Sequence, residues 1–211
     1  AARAQPEDGP IYPVDHFEPR YALPHPDHPD LDALAQTPIR LSQTADGFVA
    51  ERPGLPLRSF SLAGLGTQSE RRFYASALQA IIESLLAEMN RRGYYAVFIQ
   101  PHEEDIEPGL QRDLRPPERG DALRLVIWTG RLLEFRTFAS GNRIAGTPEE
   151  RTDHPLHQRI KTASPVQPND LVRARELDDY TARLSRHPGR EVEYRLSKSP
   201  RAGNAYLEGA M

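Results

Sequence analysis

At 211 residues the chain has room for one domain or two small ones, and a hydrophobic content of 38% supplies a core, which excludes wholesale disorder. A net charge of −3 argues against a dedicated nucleic-acid binder, which carries a basic excess or stripe. The lack of cysteine excludes disulfides, thiolate metal sites and cysteine nucleophiles, and the longest apolar run, Leu123 to Trp128 with Arg124 inside it, is too short for a membrane-spanning helix.

Residues 1–36 are rich in Pro, Asp and His, as in Pro24-His25-Pro26-Asp27-His28-Pro29-Asp30. Alternate prolines remove backbone donors and bar a helix, so an extended linker is expected, with Asp15 to Tyr21 as a short edge strand. Ala2-Arg3-Ala4 has the small-x-small form that precedes a signal-peptide cut, and a cloned end explains it equally well. From Ile39 the pattern turns strand-like: Gly47 to Ala50 and Leu57 to Leu62 alternate apolar with polar. Thr67-Gln68-Ser69-Glu70 offers a capping box for the helix that follows. In that helix Phe73, Ala77, Ile81 and Leu85 recur every fourth residue beside Tyr74, Leu78, Ile82 and Met89, and Gly93 stops it. Tyr94 to Ile99 and Leu123 to Trp128 read as a strand pair joined by a polar insertion, 101–120.

A second unit begins with a strand, Leu132 to Ala139, then a short helix, His154 to Ala163. Glu176 to Arg186 is a helix with Leu177, Tyr180 and Leu184 on one face, ended by His187-Pro188-Gly189. Arg190 to Leu196 is a strand with Val192, Tyr194 and Leu196 facing one way, and Asn204 to Ala210 is a last strand. The same order of elements thus occurs twice.

Residue types suited to chemistry are few. His25-x-x-His28 with Asp27 and Asp30 has metal-ligand residues, but a proline-rich segment cannot by itself hold four ligands in a set geometry. His102-Glu103-Glu104-Asp105 lacks the second histidine of a metalloprotease motif. Gly64-Leu65-Gly66 has the form of a dinucleotide loop, but Ser69 takes the third glycine's place, and a tight turn explains both glycines. No Gly-x-Ser-x-Gly elbow is present. No metal, cofactor or catalytic residue is assigned on spacing.

Ser164-Pro165-Val166-Gln167-Pro168-Asn169-Asp170-Leu171, then Glu176-Leu177 and Arg183-Leu184-Ser185-Arg186-His187-Pro188-Gly189-Arg190-Glu191-Val192, resembles a POTRA domain. It is most similar to those of two-partner secretion transporters, outer-membrane proteins that export haemolysins and adhesins. Their modules carry a helix ending in a Leu-Asn-x-x-Pro-Gly-like stop before a basic residue and a strand; here Ser185 stands for the asparagine. The resemblance is closest over 131–208. Over 39–130 the order of elements fits, while the insertion and the long helix depart from it.

The resemblance implies an α+β fold of two tandem modules, each strand–helix–helix–strand–strand with a small mixed sheet covered by helices: 37–130 with its insertion, and 131–211, truncated at its last strand. It implies a non-enzymatic receptor in the periplasm that binds an unfolded exported client and passes it to the protein's own carboxy-terminal β-barrel, absent from this sequence. Neither nucleic acid nor a small-molecule substrate is expected as partner. Strand addition to an exposed sheet edge provides backbone affinity with little sequence demand. The expected edge is Arg190, Val192, Glu193, Tyr194 and Leu196, with Leu177, Tyr180 and Leu184 as the groove wall. Two alternatives stand beside it: a periplasmic scaffold for outer-membrane protein assembly, and a small metal-dependent hydrolase using His102, Glu103 and Glu104.

Overall fold

The computed structural model describes residues 5–116, 121–140, 146–186, 191–198 and 206–210, with 198 and 206–210 described for the backbone alone. Ala2-Arg3-Ala4, the stop His187-Pro188-Gly189, Arg190, the end of the insertion (117–120) and the start of the last expected strand (204–205) lie outside the described residues.

The chain divides into two units, Ala1–Arg92 with Val97–Trp128, and Gly93–Ala96 with Thr129–Met211. The first runs through a 3-10 turn (Pro6–Asp8), β1 (Ile11–Pro13), β2 (His16–Tyr21), α1 (Leu31–Ala35), β3 (Pro38–Gln43), β4 (Phe48–Ala50), β5 (Leu57–Ser61), α2 (Leu62–Leu65), β6 (Arg72–Tyr74), α3 (Ala75–Arg91), β7 (Val97–Pro101) and β8 (Ala122–Thr129). The second contains β9 (Arg131–Arg136), α4 (Pro148–Arg151), a 3-10 turn (Pro155–His157), α5 (Gln158–Thr162), α6 (Ala174–Ser185), β10 (Arg195–Lys198) and β11 (Tyr206–Ala210).

Each unit holds a three-stranded sheet of the same topology. In the first the order is β2-β8-β7, with β2 parallel to β8. In the second it is β9-β11-β10, with β9 parallel to β11 and β10 antiparallel to β11. In both, the third strand lies between the first and the second, which form the two edges. The first unit carries in addition a five-stranded sheet, β1-β6-β4-β3-β5, from strands inserted around β2 and before α3.

The first strand of the first small sheet is therefore β2, which falls on the short edge strand expected at Asp15 to Tyr21 within the proline-rich segment. Pro19 is tolerated because β2 is an edge strand, where a missing amide breaks no inner ladder. The segment also buries Tyr12, Val14 and Leu34. Asp8, 1% exposed, ties it down by accepting from the Gln5 amide, the Ser76 hydroxyl and the Arg52 guanidinium.

The capping box at Thr67 is not used. The Thr67 hydroxyl donates to the Gly64 carbonyl, and Glu70 accepts from Arg72. Phe73 and Tyr74 belong to β6 rather than the helix, because Phe73 pairs with Tyr12 on one side and Phe48 on the other and is fully buried there. Burying an aromatic between two strands outweighs a local cap of about 1 kcal/mol. The helix proper, α3, buries Ala77, Leu78, Ile81, Ile82, Leu85 and Met89 against β3, β4, β6 and β7. Gly93 ends it at φ 87°, a left-handed conformation that favours glycine. Gly66 sits where a Cβ would lie 2.9 Å from the Asp15 carbonyl, so close packing of α2 on the chain before β2 explains that glycine. Among the described residues, no helix is long and apolar enough to cross a membrane.

The core of the second unit is Leu132, Phe135, Val166, Val172 and Leu177, with Tyr194 and Leu196 packed against it. The Tyr180 hydroxyl donates to the Ile160 carbonyl at 2.7 Å, which pins α6 to α5.

Candidate functional site: the outer strand of the second unit

β10 is the outermost strand of its sheet, paired on one side with β11. An outer strand presents unpaired amides and carbonyls on its other side. The described register begins with Arg195 opposite Ala210 and runs to Lys198 opposite Leu207. The ladder that is described therefore begins at Arg195 and not at Arg190.

Val192, Tyr194 and Leu196 are half-buried, whereas Glu193, Arg195 and Ser197 are exposed. This period of two extends through the residues before the ladder, so 191–194 is already laid out as a strand would be. Two hydrogen bonds hold it along α6: the Val192 amide donates to Ser185 Oγ, and the Tyr194 hydroxyl donates to Asp178 Oδ1, both at 3.1 Å. Burial, and then the bond to the Asp178 carboxylate, push the Tyr194 phenol above its ordinary value. Arg195 lies 4.0 Å from Glu193 along the exposed face.

On the helix side, Leu177 and Tyr180 are 4% and 5% exposed and Leu184 is half-buried. Leu177, Tyr194 and Leu196 are brought together around a cavity of about 10 Å³. That is room for a single water and for no client side chain. Leu177 and Tyr180 thus hold the helix on its core, and the surface open to a partner is the backbone of β10 with the side chains of Glu193, Arg195 and Ser197. The sequence marks Ser185 only as the stand-in for the asparagine of the helix stop, and Asp178 not at all; each sits on the α6 flank that meets 191–194, a role for which a lone Asp or Ser on a helix carries no sequence signal.

The other clusters resolve into structural pairs. Asp105 is fully buried and accepts from the Arg124 amide at 3.0 Å and from its guanidinium at 2.6 Å; Glu104 joins the same guanidinium at 3.1 Å. The His102 ring nitrogen Nδ1 accepts from the Glu104 amide. His28 stacks on Tyr21 with ring centroids 3.8 Å apart, and His25 Nδ1 accepts from the Asp27 amide. Among the described residues no group of three or more His, Asp or Glu side chains is arranged to hold a metal ion.

No protein-family model matches the sequence, and no curated protein matches it. Solved structures do. CdiB from Escherichia coli is similar over 96% of this chain and 27% of its own, with 13% identity and a TM-score of 0.58. CdiB from Acinetobacter baumannii is similar over 96% and 29%, with 14% identity and a TM-score of 0.52. POTRA1-3 of the periplasmic domain of Omp85 from Anabaena is similar over 94% and 64%, with 11% identity and a TM-score of 0.51. The chain thus spans less than a third of the length of the CdiB chains that it matches. At these identities the likeness is one of fold, and the fold is that of POTRA domains, α+β with small mixed sheets.

Proposed function

We propose that this chain is the periplasmic part of an outer-membrane protein-secretion transporter of the two-partner type, and that it captures an unfolded client by strand addition to β10. The observation that carries the reading is an open sheet edge with inward apolar and outward polar side chains in a POTRA-like fold. Backbone pairing suits a client that arrives without structure, because every peptide bond offers the same donor and acceptor. The β-barrel to which the client is passed lies, on this reading, beyond the present sequence. The role needs no cofactor and no catalytic group. A second reading, a periplasmic scaffold for outer-membrane protein assembly, draws on the likeness to the Omp85 periplasmic domain and uses the same edge.

The chain has no cysteine, so Ser197→Cys introduces a single thiol on the exposed face of β10. Labelled with a photoreactive benzophenone, it should cross-link reduced, carboxymethylated α-lactalbumin, a permanently unfolded polypeptide. The same label at Glu83→Cys, exposed on α3, should not. Equal cross-linking at both positions, or none at Ser197→Cys, contradicts the proposal.

A further inference from the structure

The first unit contains a groove of about 610 Å³ on its small sheet, a volume in the range of ligand sites. Arg20 from β2, Val126 and Trp128 from β8, Gln100 from β7, and His102 and Glu103 just after β7 line it. Val126 is buried and Trp128 half-buried, which makes an apolar floor. The rim is polar, and its polar groups differ from their neighbours in one respect. Glu18 is paired with His16, and Arg124 with Asp105 and Glu104. The side chains of Arg20, Gln100 and Trp128 have no hydrogen-bond or ion-pair partner among the described residues. Arg20 is exposed on an edge strand beside the groove, and its guanidinium presents five donors in a planar fork. Burial, then Arg124, then Arg20 push the His102 imidazole below its ordinary value, against Glu104 and Asp105, which push it up. Glu103 follows β7, which the strand order sets across β8 from Arg20 on β2.

We propose that this groove binds an extended acidic peptide segment, with a carboxylate on Arg20 and an apolar or aromatic side chain on Val126 and Trp128. A peptide fits better than another anion because Gln100 comes from β7, the outer strand of the sheet, so peptide donors and acceptors are available alongside the groove. Glu103 sets the register: a segment placing its carboxylates near Glu103 is repelled, so the acidic residue lies at the Arg20 end. This site is distinct from the β10 edge and does not depend on it.

Trp128 is the only tryptophan of the chain, so its fluorescence reports on the groove alone. The full chain is titrated with the acetylated and amidated peptide Glu-Phe-Glu-Val-Ser-Phe-Ser, acidic at one end only, and with its Lys-for-Glu counterpart. The acidic peptide should shift Trp128 emission saturably and bind at least about fivefold more tightly than the basic one, ~1 kcal/mol. Arg20→Glu should reverse the preference and Arg20→Gln abolish it; both replace an exposed side chain that has no hydrogen-bond or ion-pair partner among the described residues, so circular dichroism should be unchanged. Equal affinity for the two peptides, or a preference that survives both substitutions, overturns the proposal. A galacturonate tetramer that saturates Trp128 where the acidic peptide does not would assign the groove to acidic sugars and overturn it as well.

Discussion

Replacing Asp105 by alanine should destabilise the first unit by about 3 kcal/mol, the low end of the range for leaving a buried charge without its partner. The carboxylate is fully buried and takes four contacts from Arg124: one from the backbone amide, two on Nε and one from a terminal nitrogen. The Arg124 side chain is only 14% exposed, so water cannot replace what is lost. Glu104 remains 3.1 Å from the same guanidinium, but it is 75% exposed and recovers little, which keeps the cost below the upper limit of ~5 kcal/mol. The assay is urea unfolding of the full chain followed by Trp128, which lies on the same strand as Arg124 and so reports on the first unit. Arg124→Met paired with Asp105→Ala completes a double-mutant cycle, and the double variant should be less destabilised than the sum of the two. A loss below about 1 kcal/mol for Asp105→Ala, or strict additivity, would refute the clamp.

Burial alone would raise the Asp8 carboxyl, but the Gln5 amide, the Ser76 hydroxyl and the Arg52 guanidinium together hold it below its ordinary value of 3.8. Its contribution is therefore complete above that pH and lost as pH falls through the lower folded value, so Asp8→Asn should flatten the acid limb of the stability curve. His102 is also depressed, from 6.5, so the unfolded chain takes up its proton first; stability of the first unit should fall as pH drops below 6.5, and His102→Gln should remove that slope. Leu177→Ala should cost the second unit about 2–5 kcal/mol in denaturant unfolding monitored by hydrogen exchange of α6, since Leu177 fills the core beneath β10. Tyr194→Phe removes one hydrogen bond to Asp178 and should cost about 0.5–1.5 kcal/mol, read as faster amide exchange over 191–194; an unchanged rate would mean that the bond does not hold this segment.

Much of the fold is legible in the sequence where one face of an element is uniformly apolar. The stripe of α3 from Ala77 to Met89 and the faces of α6 and 192–196 follow from periodicity, and β8 from its apolar run. What escapes is set by contacts distant in the chain. β2 is legible as a short edge strand at Asp15 to Tyr21, but its place as the first strand of the small sheet is not, because its partner β8 lies about a hundred residues away. The capping box at Thr67 is locally sound, yet Phe73 is claimed by Tyr12 and Phe48, neither of them near it in sequence. At the candidate site, periodicity shows that Leu177 and Tyr180 face inward, but it cannot distinguish a groove wall from a core. That depends on Tyr194 and Leu196 filling the space, which only the folded arrangement shows. The groove beside Trp128 has no sequence signature, because its lining comes from three separated strands.

The most direct test of the account is amide hydrogen exchange across the whole chain, with and without the unfolded α-lactalbumin. Strand addition predicts slowed exchange at Glu193 to Lys198, with the amides of β9, on the far side of that sheet, unchanged. Glu193→Pro should abolish the protection in a folded protein: no described group pairs with the Glu193 amide, and residue 193 precedes the β10 ladder. Protection that is confined to other strands, or that persists undiminished in Glu193→Pro, would contradict capture at this edge.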